Sequence, residues 1–163
     1  MHDTIAQRRS FIQPLVENLL KRSPEERRSW FDSAWKTYND FRTTRPYEVP
    51  IPGYARQKMS EAPDEQRAAF MSMTNRVNFF TMLDERDSAQ AIEKGLTADY
   101  CGSHILFIND SQNWTRLESG VLAELFYPDV TCFKKALTGQ ETLVSIDKAR
   151  QIIGFEPEFT FGI

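Results

Sequence analysis

Cysteine, histidine and glycine are all scarce in this 163-residue chain. Cys101 and Cys132 are too few for a disulfide framework, and they fit a reducing compartment, so a cytoplasmic protein is expected. The only histidines are His2 and His104, and His2 sits at a terminus, so zinc held by histidines is not expected. The glycines stand at Gly53, Gly95, Gly102, Gly120, Gly139, Gly154 and Gly162, never closer than seven positions. A loop that cradles a pyrophosphate needs glycines roughly two or three positions apart, so that the backbone can approach the phosphates. The chain has no G-x-G-x-x-G, no Walker A and no G-x-S-x-G elbow. No apolar run approaches the about eighteen residues of a membrane span. The opening MHDTIAQRRSFIQPL is polar, so neither a membrane partner nor a secretory signal is expected. A net charge of -3 with scattered Lys and Arg argues against nucleic acid as a partner.

What is present reads as one domain over 1–163, helical and aromatic-rich over 1–76 and alternating over 77–163. Ile5, Phe11, Ile12, Leu15, Val16, Leu19 and Leu20 recur at helical steps over 4–22, where Pro14 should kink the helix or mark its start. Ser23-Pro24-Glu25-Glu26 is a capping box with proline at the first helical position. It opens a helix over 24–42 that carries a stripe of Trp30, Phe31, Trp35, Tyr38 and Phe41. Pro46, Pro50, Pro52 and Gly53 make 43–60 a loop, and Pro63-Asp64-Glu65 opens a shorter helix.

The second half reads as strand, helix, strand, helix. Val77–Phe80 is a short strand, and 86–96 a helix with Ala89, Ile92 and Leu96 inward. His104–Ile108 is a continuous apolar strand of the doubly covered kind. Thr115-Arg116-Leu117-Glu118 reads as a second capping box, and Pro128 stops the helix it opens. A short strand follows at 130–133, and Ser145 caps a last helix closed by Gly154. The expected class is therefore α/β or α+β, with a helical N-terminal half packed on a small strand-helix-strand-helix lobe.

Four segments of the last 80 residues carry a resemblance. Phe79-Phe80-Thr81-Met82-Leu83-Asp84-Glu85-Arg86-Asp87-Ser88-Ala89 resembles the strand-to-helix junction of the extended short-chain dehydrogenase/reductases, the NAD-dependent epimerase/dehydratases. His104–Asn109 is similar to that family's late strand, and Leu122-Ala123-Glu124-Leu125 with Pro128 to the helix after it. Ser145-Ile146-Asp147-Lys148-Ala149-Arg150 with Ile153-Gly154-Phe155-Glu156-Pro157 resembles the family's ending. In that family this region builds the substrate-side lobe, whereas NAD(P) is held by a glycine-rich half with no counterpart here. The family's Tyr-x-x-x-Lys has one formal counterpart, Tyr54 to Lys58.

The resemblance and the missing cradle together imply a reduced relative that binds no NAD(P) and needs no other cofactor, but keeps a pocket for a small molecule. An alternative is a cofactor-independent isomerase, dehydratase or cyclase acting on a small apolar metabolite. Its acid and base would come from Tyr54, Lys58, His104, Asp84 and Asp110. A third reading is a partner subunit of a split enzyme. A lobe without its nucleotide-binding half would expose an apolar face, which a second copy could cover, so a homodimer is expected. The run Asp84-Glu85-Arg86-Asp87 also has a purely structural reading, as the N-cap of the following helix.

Overall fold

The computed structural model describes residues 2–42 and 60–160. Six helices are present among them: α1 (His2–Leu20), α2 (Pro24–Arg42), α3 (Asp64–Val77), α4 (Glu85–Thr97), α5 (Ser119–Phe126) and α6 (Asp147–Ile153). The chain divides into two compact units, Ser10–Val77 and a larger one made of Met1–Arg9 with Asn78–Ile163.

In the smaller unit, the capping box at Ser23 forms as its spacing requires. The Ser23 N–H donates to the Glu26 carboxylate at 2.8 Å and the Glu26 N–H to the Ser23 hydroxyl at 3.3 Å. The Arg27 guanidinium satisfies the end of α1, donating to the carbonyls of Leu19 (2.9 Å) and Leu20 (2.8 Å). Pro14 lies inside a helix that runs on through it. The aromatic stripe of α2 divides by face: Trp30 and Tyr38 are buried, and Tyr38 meets Phe70 of α3 with ring centroids 5.8 Å apart. Trp35 stays partly exposed, stacked on Tyr38 and covered by the Arg76 guanidinium.

The larger unit corrects the expected fold class. Among the described residues there is no sheet, only a single antiparallel bridge between Gln112 and Glu141. The strand-helix-strand-helix lobe is therefore not formed, and each expected strand fails for a local reason. Val77 ends α3, and the Thr81 N–H turns back to the Asn78 carbonyl. Phe79 and Phe80 both adopt left-handed φ of 54°, which no strand can hold. His104–Ile108 runs without secondary structure and finds no ladder partner, so Ile105 and Phe107 are exposed, not doubly covered. Val130 is held in a turn by its N–H to the Tyr127 carbonyl. Short apolar runs cannot be separated into strand and non-strand by periodicity, and here the neighbouring strand is what is missing.

Two further expectations change. Ala89, Ile92 and Leu96 of α4, read as inward, are all exposed, the last two at 66% and 83%. The Thr115 box does not form, because Arg116 takes a left-handed φ of 63° and α5 begins only at Ser119.

The core that replaces the sheet gathers Ile146, Ala149, Ile153 and Phe155 against Leu83, Ala91, Leu106 and Ile108. Phe80 is fully buried, edge-on to Phe126 at 4.8 Å. The C-terminal tail is fastened to α4. The buried Asp87 carboxylate accepts the N–H groups of Glu158 (3.0 Å) and Phe159 (3.1 Å), and Arg86 lies over the Phe159 ring. Gly154, left-handed at φ 66°, closes α6 as the sequence suggests.

Candidate functional site

The larger unit opens a cleft of about 780 Å³, within the size range of small-molecule sites. The connection from Tyr127 to Ile146, between α5 and α6, supplies most of its lining. Its apolar part is built by Phe79, Phe107, Tyr127, Val130 and Phe133. Phe79 and Tyr127 stack with centroids 5.7 Å apart and planes 10° from parallel.

The charged part is an ordered network. The Lys135 ammonium meets the Glu141 carboxylate at 2.5 Å, and Glu141 also accepts the Thr138 N–H and hydroxyl, both at 2.8 Å. These donors, the lysine first, hold the Glu141 carboxyl down to about 2. Arg150 grips Glu156 with two bonds of 2.6 Å and reaches Asp147 at 3.4 Å. The Ser145 hydroxyl, first, and then Arg150 keep the Asp147 carboxyl below its usual range. Lys134 also lines the cleft and has neither a hydrogen bond nor an ion pair among the described residues.

Gly139 sits at the turn of this wall with φ 52°, a conformation that costs glycine little. Its carbonyl accepts the Ser119 N–H at 2.8 Å, so the turn is fixed to the start of α5.

Glu141 carries a pH prediction. Its folded value is depressed, so its contribution to stability is complete above the ordinary carboxylate value of 4.5 and is lost as pH falls towards about 2. Urea midpoints should therefore fall over that window in the wild type and fall less in Glu141→Gln. Equal slopes for the two proteins would contradict the network.

The residues singled out from the sequence are not gathered at the cleft. Tyr54 and Lys58 lie outside the described residues. Asp84 caps α4, accepting the Arg86 N–H at 2.9 Å and the Arg86 guanidinium at 2.8 Å and 3.1 Å. Asp110 is buried and accepts the Gln112 N–H at 3.1 Å; it shapes the segment whose Ser111 and Gln112 face the cleft, without lining it. His104 is exposed, its ring bonded to the Cys101 carbonyl at 2.9 Å and set against Tyr100. Of the three described candidates, none lines the cleft; Asp110 is tied through its N–H to the Met82 carbonyl, two residues before Asp84.

Sequence reasoning missed Lys134, Lys135 and Glu141. The available signal was the length of the connection after Pro128, since long irregular loops in small domains tend to carry function.

No group of His, Cys, Asp and Glu among the described residues could hold a metal ion. Among the described residues no helix is long and apolar enough to cross a membrane. Comparison of the chain with family models, with curated proteins and with solved structures finds no match.

Proposed function

We propose that this chain is a small-molecule-binding protein, a reduced relative of the epimerase/dehydratases that holds its ligand without NAD(P), in a binding or regulatory role. The observation that carries this reading is the cleft, where an aromatic wall faces an ordered set of charges. The glycine spacing supports the part about NAD(P). Both cysteines are exposed and unpaired, which suits the cytoplasm. The isomerase reading gains no support, because none of Asp84, Asp110 and His104 lines the cleft.

Thermal shift tests the proposal. A fragment library should yield compounds that stabilise the protein saturably, with NAD and NADP inert. Saturable stabilisation by either dinucleotide would overturn the reading.

The same unit exposes Ile92, Leu96, Tyr100 and Ile105, none of which lines the cleft. Ser103 to Ile108 carries no acidic or basic side chain apart from His104, so a second copy pairing along this segment meets little charge repulsion. A homodimer through this face is the proposed assembly. Sedimentation should show a dimer that Ile105→Lys converts to monomer; a monomeric wild type would sink the assembly, not the cleft.

A further inference from the structure

We infer that the cleft takes a flat aromatic anion, such as an aromatic carboxylate; this rests on reading the cleft as a ligand site. The first observation is the aromatic wall. Phe79 and Tyr127 form a near-parallel stack that a third ring can continue, and Phe107 and Phe133 extend the apolar lining.

The backbone shows that this ring is held in place at a cost. Phe79 and Phe80 are consecutive residues in the left-handed region, which bulky side chains avoid. Phe80 is locked in the core against Phe126, and the same turn leaves Phe79 40% exposed at the cleft. A strained conformation that keeps a large apolar ring at the edge of a cleft, when burial would be favourable, is the pattern of a binding device.

The third observation is charge. The charged side chains lining the cleft are Lys134, Lys135, Arg150, Glu141 and Asp147. Glu141 is matched by Lys135, and Arg150 is engaged by Glu156 and Asp147. Lys134, which has no ion-pair partner among the described residues, is placed to meet an anion brought by the ligand, and its compact ammonium suits a carboxylate as a point charge. A neutral ligand would make no use of the lysine, and an aliphatic acid would make none of the stacked rings.

The test uses the full chain and three probes, 2-naphthoate, 2-naphthalenemethanol and decanoate, followed by calorimetry and amide chemical shifts. Naphthoate should bind about tenfold more tightly than either other probe, moving the amides of Tyr127, Lys134 and Gly139. Lys134→Gln should remove most of the advantage over the alcohol. Phe79→Gly, whose folding a melting curve checks, should remove the advantage over decanoate. Decanoate or the alcohol binding at these amides as tightly as naphthoate would overturn the ligand class and leave the cleft standing as a site. Absence of shifts at these amides with all three probes would overturn both.

Discussion

Asn113→Asp is expected to destabilise the larger unit by about 4 kcal/mol at neutral pH. The Asn113 side chain is fully buried. Its Nδ2 donates to the Leu117 carbonyl (2.9 Å), the Ser119 hydroxyl oxygen (3.1 Å) and the Gln140 carbonyl (3.1 Å). Its Oδ1 accepts from the Thr115 N–H (3.1 Å) and hydroxyl (2.6 Å). The Ser119 hydroxyl already spends its proton on the Glu141 carbonyl. An aspartate would therefore turn an oxygen towards three oxygens, none with a proton to give. Burial and those oxygens would raise its folded pKa, so the neutral acid is the tolerated form. The penalty should then shrink as pH falls from 7 to 4, the opposite trend to that of Glu141. Urea unfolding at the two pH values checks this; a variant within about 1 kcal/mol of wild type at pH 7 would refute it.

Asp87→Ala should cost about 3 kcal/mol and lower the melting temperature of the same unit by roughly 10 °C. Removing the carboxylate leaves the Glu158 and Phe159 N–H groups without their acceptor, and the tail loses its main tie to α4. The Gln90 amide bonded to Glu158 and the Arg86 cation over Phe159 cannot replace it, since both lie nearer solvent. Hydrogen exchange should report the loss at residues 156 to 160 first. Protection there equal to wild type would show that the tail is held by something else.

What could be read from the sequence was what depends on near neighbours. The Ser23 box, the Asp84 cap and the Gly154 terminator each need only residues within a few positions, and each forms. The strands could not be read, because a strand exists only with a partner that the local sequence does not specify. His104–Ile108 has the composition of one and remains unpaired among the described residues. The Thr115 box illustrates a second limit. Thr115 gives its hydroxyl to buried Asn113, so the residue that looked like a helix cap belongs to a longer-range node.

The cleft was the least legible part. Lys135 and Glu141 are brought together by the Gly139 turn, and Phe79 reaches Tyr127 only through two left-handed residues. Neither arrangement has a periodic signature. In the sequence, Asp87 is one acid among several at a helix start. Its role depends on a tail some seventy positions away, and no local rule points there.

The most direct measurement is a crystal structure of the chain soaked with a compound that stabilises it. The account predicts density stacked on Phe79 and Tyr127, within reach of Lys134. Density for the compound bound elsewhere, with this cleft empty, would contradict it.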